Sequence, residues 1–463
     1  MIIQKFFHES NISIGIIYID FVKVKEWIMS KKSKDVMILG FALFSMLFGA
    51  GNLIFPPFLG SITSSGWLLS SAGFITTGVG LTIIGIVISA KNSENIYGFG
   101  EKVGVRFAKI LSLVCMLSIG PLLAIPRTAA TTYEITVVPI FGNNVNIIVS
   151  SLVFFAVTLY FCLNESKAIE VIGKILTPAL LFMMCLIIVK AIITPMDAFK
   201  TVENTNFFLL GFIEGYQTMD AMASMFLFTL VIQSLKKRGY TSKKEMFKMS
   251  INTGIVAGVA LSLIYLGLCY VGAKTSNIIA AESRAELLIK TTKFLWGDFG
   301  AYALGIAMLL ACLTTSIGLT CTVGGYLADV TKIPYKAMCV GICVFSFFAS
   351  VIGLDAIISV SYPILVAVYP MIIILLILNV FDRFISNKSF YKGAVLVAFL
   401  SGFIQSLAII VTSLNMKENF GFIMSLDDIL KKGLPFSSMG MPYLIPAIIV
   451  GFIFSMAIKE NNQ

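Results

Sequence analysis

Apolar runs of about 20 residues recur from near Val36 to near Ile458, and nothing else in the chain limits the fold as strongly. Wound as a helix, a run of that length matches the thickness of a hydrocarbon core. In hydrocarbon every backbone N–H and C=O must find a partner inside the protein, so only helices and closed barrels cross. A barrel would read as short alternating strands, and no such pattern appears. The expectation is an all-α polytopic membrane protein. Composition agrees: of 463 residues, 58% are hydrophobic and 13% charged, against about a quarter charged in soluble domains.

Twelve spans are expected near 36–58, 66–90, 107–138, 145–163, 168–193, 208–234, 249–273, 300–327, 335–352, 355–380, 391–414 and 442–458. The net charge of +10 could suggest nucleic acid, but Lys and Arg collect in alternate loops, the largest cluster running from Lys236 to Lys248. That is the positive-inside pattern, and it places both termini in the cytoplasm. The loop 274–299 is long and charged and reads as an outer lid or a plain surface helix. Residues 1–28 mix apolar and charged residues without a signal-peptide core. They are either an amphipathic surface segment or a start assigned ahead of Met29.

Several function classes drop out. The eight cysteines lie in or at the ends of apolar runs and read as small core residues, and His8 is the only histidine. No G-x-x-x-x-G-K-[ST] loop is present, so ATP is not expected as the energy source. No cluster of carboxylate, histidine or cysteine at one depth suggests an enzyme.

Within span 1 the stretch "FGAGNLIFPP", Phe48 to Pro57, gathers poor helix formers where free backbone is most costly. Span 6 has a similar weakness in "GFIEGYQTMDAMAS", Gly211 to Ser224, which also carries Glu214 and Asp220. A charged side chain in a span costs about 3 kcal/mol and marks a functional site. One weak helix could be a simple kink. Two, five spans apart, point to an inverted repeat with a site between its halves. The free N–H groups and positive dipole end of one half-helix suit a carboxylate, and unwound carbonyls suit a cation or ammonium. A zwitterionic amino acid matches both. In span 8, Thr314, Thr315 and Ser316 set three hydroxyls in apolar surroundings. Such oxygens suit a hard cation such as Na+, whereas Thr320 and Thr322 need only back-bond to their own helix.

Five motifs, "LFSMLFGAGNLIFPP", "GPLLAIPRTAATTYE", "GYQTMDAM", "ACLTTSIGLTC" and "SYPILVAVYP", give residues 32–460 a resemblance to the bacterial branched-chain amino acid:cation symporters of the amino acid–polyamine–cation superfamily. The resemblance implies a leucine-transporter type fold: a 5+5 inverted repeat with broken helices 1 and 6, plus two peripheral helices. The chain would divide into a segment 1–34, repeats 35–194 and 195–381, and a peripheral part 382–463. It further implies import of L-leucine, L-isoleucine and L-valine with Na+ across the plasma membrane, with no cofactor and no partner beyond substrate, ion and lipid. Sodium would sit against Ser45, Phe48, Ala311, Thr314 and Thr315. Ala50, Gly51 and Asn52 would receive the substrate carboxylate, with Asn52 alternatively serving a second cation. Tyr216, Thr218, Met219 and Asp220 would form the opposite wall, and Phe48, Tyr216 and Met219 an apolar pocket. Glu214 and Asp220 depart from the superfamily pattern and leave the ammonium partner open.

Arg127 in span 3 needs a partner. Glu134, seven residues on and on about the same face, Glu214 and Asp220 are the candidates. A buried ion pair bracing span 3 against span 6 is expected, the alternatives being a gate or a proton-carrying carboxylate. Pro363 and Pro370 should bend span 10 as Pro121 and Pro126 bend span 3. The leading reading is a secondary symporter; an H+-coupled symporter and a passive facilitator or channel remain the alternatives.

Overall fold

The computed structural model describes residues 31–91, 98–163, 176–196, 198–203, 206–385 and 387–458. The expectations for residues 1–28 and His8, and for the first residues of span 5, lie outside these. Every expected span carries a helix in its described part. The principal helices are α1 (Lys31–Leu47), α2 (Ala50–Thr63), α3 (Trp67–Ile75), α4 (Leu81–Lys91), α5 (Val105–Leu117) and α6 (Ala124–Thr132). Then follow α7 (Ile147–Cys162), α8 (Thr177–Ile193), α9 (Phe207–Glu214), α10 (Asp220–Lys237), α11 (Lys243–Thr275) and α12 (Arg284–Trp296). The remainder are α13 (Asp298–Thr331), α14 (Tyr335–Ser350), α15 (Leu354–Val380), α16 (Lys388–Ser413), α17 (Gly421–Asp428) and α18 (Leu444–Ala457). Among the described residues six helical stretches are each long and apolar enough to cross a membrane, and Phe207–Thr218 with Asp220–Lys237 does so as a pair bent by 41°.

The first break has a local cause. The Phe48 N–H still donates to the Phe44 carbonyl at 2.7 Å, but the Gly49 N–H turns to Asn52 Oδ1 at 3.2 Å. The Ser45 carbonyl thereby loses the donor that a continued helix would supply. Pro56 and Pro57 lie inside α2, where their missing N–H groups leave the Asn52 and Leu53 carbonyls without helical donors. The second break is a 3-10 turn, Gly215–Thr218, followed by Met219 in the left-handed region at φ 62°.

The two broken spans each lie along another helix. α1 and α2 pack on α11, and α9 and α10 pack on α3 and α4. Both seams are made by backbone contact. A Cβ on Gly272 would stand 1.9 Å from the Pro57 carbonyl oxygen, and one on Gly211 would stand 1.8 Å from that of Ser70. Small residues are what allow membrane helices to approach so closely. α6 packs against α13, bringing the span 3 arginine and the span 8 hydroxyls to the same depth as the first break.

Local geometry differs between the two proline-bearing spans. Pro363 and Pro370 lie inside the continuous helix α15, while in span 3 the chain leaves helical geometry at Gly120, just ahead of Pro121. A proline alone removes one hydrogen bond, which a packed helix can absorb. The loop 274–299 contains α12, which packs across α2 and α13, and α17 was not expected at all.

Candidate functional site

The span 1 break, the span 6 break, α6 and α13 meet around a buried cavity of about 20 Å³, room for roughly one water. A leucine side chain needs its walls to part. Polar residues on the lining include Asn52, Arg127, Thr128, Thr218, Asp220 and Thr315; apolar ones include Met46, Leu47, Ile119, Met219 and Leu319.

On one side of the break the Ser45 carbonyl accepts from Thr314 Oγ1 at 3.0 Å and Thr315 Oγ1 at 3.3 Å. Thr314 Oγ1 also lies 3.0 Å from the Ala311 carbonyl. Gly49 permits this approach, because a Cβ there would stand 2.9 Å from the Thr315 side chain. Ser45, Ala311, Thr314 and Thr315 thus share one buried polar knot, while Phe48 occupies the break itself. No group of three or more His, Cys, Asp or Glu able to hold a metal occurs among the described residues, so any cation held here meets carbonyl and hydroxyl oxygens.

On the other side, Asn52 Nδ2 donates to Asp220 Oδ2 at 2.6 Å and contacts the Tyr265 hydroxyl. Tyr265 donates to the same carboxylate oxygen at 2.9 Å. The Asp220 N–H lies 3.4 Å from Thr218 Oγ1. Three spans therefore converge on one carboxylate that is 1% exposed. Sequence reasoning missed Tyr265; a single tyrosine in an apolar span gave no periodic signal.

Two residues expected in an apolar pocket stand outside the cavity. Tyr216 stacks on Tyr369 with centroids 4.4 Å apart, and Phe48 stacks between Phe44 and Tyr265 at 5.2 and 6.2 Å. Aromatic faces so close gain more from each other than from an open wall. Ile119, Ala124 and Leu319 line the cavity instead, and Met219 stays on it.

The expected ion pair of Arg127 is absent among the described residues. Arg127, 3% exposed, donates through Nη1 to the Gln217 carbonyl at 2.8 Å and lies over the Phe55 ring at 5.5 Å. It does tie span 3 to span 6, but through backbone. The carboxylates have other partners. Glu134 accepts from the Leu354 N–H at 3.1 Å, a carboxylate at the start of α15. Glu214 pairs with Arg284 of α12 at 3.2 Å. The Arg284 guanidinium also covers Phe55 at 5.1 Å and Phe58 at 4.4 Å.

Two broken spans enclosing one small polar cavity are the arrangement seen in membrane transporters built on inverted repeats. Solved structures agree on the fold. A nucleobase-cation-symport-1 family transporter in a closed conformation matches with TM-score 0.57 over 91% of this chain and 93% of its own, at 14% identity. A Na+-coupled sialic acid symporter in a substrate-bound outward-open state matches with TM-score 0.58, over 92% and 90%, at 12% identity. Residues 32–462 match the family described as branched-chain amino acid transport protein, and the chain belongs to it. Among its relatives, the branched-chain amino acid permease BraB of Bacillus subtilis is 35% identical over 443 residues, covering 93% of this chain and 97% of that one. A putative branched-chain amino acid carrier protein of Staphylococcus aureus is 34% identical over 452 residues, covering 93% and 98%.

Proposed function

We propose that the protein is a secondary symporter that imports leucine, isoleucine and valine across the bacterial plasma membrane, driven by Na+ influx through alternating access. The observation that carries the reading is the Ser45 carbonyl, freed by the first break and met by the Thr314 and Thr315 hydroxyls. These groups hydrogen-bond one another, and each offers an oxygen to a dehydrated cation. One Na+ moved inward supplies about 2.3 kcal/mol per 100 mV, besides its concentration gradient.

In this reading twelve spans form a 5+5 inverted repeat, 35–194 and 195–381, with 382–463 peripheral and both termini cytoplasmic. The reciprocal packing of the broken spans, α1 and α2 on α11, α9 and α10 on α3 and α4, supports it. The free N–H groups that open α2 at Ala50, Gly51 and Asn52 receive the substrate carboxylate. The apolar lining takes the side chain, and since one methylene is worth only about 1–3 kcal/mol, the three substrates compete.

Leucine uptake into proteoliposomes under an inward Na+ gradient tests this. Uptake unchanged when choline replaces Na+ at fixed pH removes Na+ coupling, and absence of accumulation under any ion gradient removes symport. The burial of Asp220 favours a second reading, H+ coupling, which a pH gradient without Na+ would then drive.

A further inference from the structure

Among the described residues, Arg127 and Asp220 are the only charged ones on the cavity, and both are almost wholly buried. Opposite charges in a low-dielectric interior attract strongly and stabilise the fold best when paired. Here the chain holds them apart. Arg127 is fastened on the Gln217 carbonyl and the Phe55 ring, and Asp220 on Asn52 and Tyr265. No ion pair joins the two among the described residues. Arg127 keeps unused capacity: its Nε is buried without a partner. A Cβ on Gly51 would stand 2.7 Å from Arg127 Nη2, so the guanidinium lies against the backbone that opens α2.

We propose that Arg127 and Asp220 are the two halves of a zwitterion receptor, Arg127 taking the substrate α-carboxylate together with the N–H groups of α2, and Asp220 taking the α-ammonium. A guanidinium fork accepts a carboxylate through two parallel hydrogen bonds. The opening N–H groups of α2 present positive dipole ends to the same place. Asp220 already draws donors from two spans, and an ammonium adds a third that neutralises its charge. Arg127, expected from sequence to brace span 3, is thereby a substrate-binding residue. The receptor and its ligand are each neutral overall, so the coupling ion alone carries charge through the cycle. Leucine satisfies both halves; its analogues lacking either group leave one buried charge uncompensated, which is the basis of exclusion.

This inference rests on the amino-acid substrate proposed above, and its test separates the two. The purified full-length protein is heated with leucine, with isoamylamine, which lacks the carboxylate, or with 4-methylpentanoate, which lacks the ammonium. Apparent affinities come from the concentration dependence of the melting temperature. In the unaltered protein leucine should bind roughly 100-fold more tightly than either analogue. Arg127→Gln should lose roughly 100-fold for leucine and 4-methylpentanoate but keep its response to isoamylamine. Asp220→Asn should show the reverse, losing leucine and isoamylamine and keeping 4-methylpentanoate. Leucine affinity within threefold of the unaltered protein, or equal loss of all three ligands, overturns the receptor and leaves the residues as braces. If the neutral variants fail to fold, Arg127→Lys and Asp220→Glu decide by the same crossed pattern. If leucine does not stabilise the unaltered protein, the proposed function itself has failed, and the receptor with it.

Discussion

Thr314 Oγ1 lies 3.0 Å from the carbonyl oxygen of Ser45, a residue 269 positions earlier and on the far side of the first break. The contact joins span 8 to the C-terminal end of α1. It costs span 1 nothing, because that carbonyl has already lost its helical donor to the Asn52 side chain. The same oxygen is the one a coupling ion would take.

Thr314→Ala and Thr315→Ala therefore should each raise the Na+ concentration for half-maximal leucine uptake roughly 10-fold, the equivalent of about 1.4 kcal/mol for one lost ligand. The ranking of leucine, isoleucine and valine should not change. Ion-titrated uptake in proteoliposomes reads both quantities, and an unaltered Na+ dependence removes α13 from the cation site.

Asn52 holds three things at once: the Gly49 N–H, Asp220 and Tyr265. Asn52→Leu keeps similar bulk but withdraws every one of those contacts. The Gly49 N–H can then return to the Ser45 carbonyl and carry the helix through the break. We expect uptake to fall at least 100-fold, while the melting temperature drops by the equivalent of about 2–4 kcal/mol for buried polar groups left unpaired. Retained uptake would show that the break does not depend on this side chain.

How much of this could be read from the sequence differs from residue to residue. The spans were legible because they are apolar runs of about the right length, unlike short α17, and both breaks because Gly, Pro and Asn stand where helix formers should. The proximity of Ser45 to Thr314 and Thr315 was legible through family motifs. Partner choice was not. Arg127 and Glu134 share a face by spacing, yet Glu134 reaches the start of α15 and Arg127 reaches a carbonyl. In a helix surrounded by other helices the apolar pattern barely distinguishes one face from another, so its rotation about its own axis is not encoded locally.

Arg284 and Glu214 pair at 3.2 Å over the end of α2 that the proposed topology places outside. With Phe55 and Phe58 beneath the guanidinium, they would serve as a closure on that side in the proposed transport cycle. Both side chains retain some exposure, so the pair is worth about 1 kcal/mol after solvent screening. Arg284→Ala should shift the equilibrium several-fold toward an outward-open state. Spin labels at Leu68→Cys and Lys290→Cys should report a broadened, longer distance distribution. An unchanged distribution would mean that α12 is fixed by its apolar face alone.

At the opposite end Asp35 of α1 pairs with Arg238 and accepts from the Tyr240 hydroxyl at 2.8 Å. Burial first, then the neighbouring carboxylate, push the Tyr240 hydroxyl up to about 12. A raised value means that the protonated donor is favoured in the fold. Its contribution is complete below the ordinary tyrosine value near 10 and fades only as pH rises through about 12. This cluster, an inner closure in the proposed topology, should thus hold steady from pH 6 to 9. Tyr240→Phe should weaken it by about 1 kcal/mol at any pH in that range. A cavity of about 260 Å³ is lined by Gln233 of α10, the helix that leads to Arg238, and by Cys321 of α13, and that thiol should react several-fold faster with a maleimide in the variant. Site-resolved mass spectrometry measures the rate in both proteins, and a ratio of the two rates that changes between pH 6 and 9 in step with uptake would assign the closure to another titrating group.

Gly272 is where α11 meets α2 most closely, with the Pro57 carbonyl in the position a side chain would need. Pro57 freezes that stretch of α2, so the obstacle is rigid backbone and not a movable side chain. Gly272→Ala must therefore push α2 off α11 and carry Ala50 to Asn52 with it. Overpacking of this kind costs about 3 kcal/mol or more. The loss should appear both as a lower melting temperature and as a weaker leucine response among molecules that remain folded. At Gly325 of α13, where a Cβ meets nothing within 4 Å, the matching Gly325→Ala change should leave the melting temperature within about 2 °C. Equal effects at the two sites would mean that the α2–α11 seam is compliant, and that the cavity walls part there instead of at the breaks.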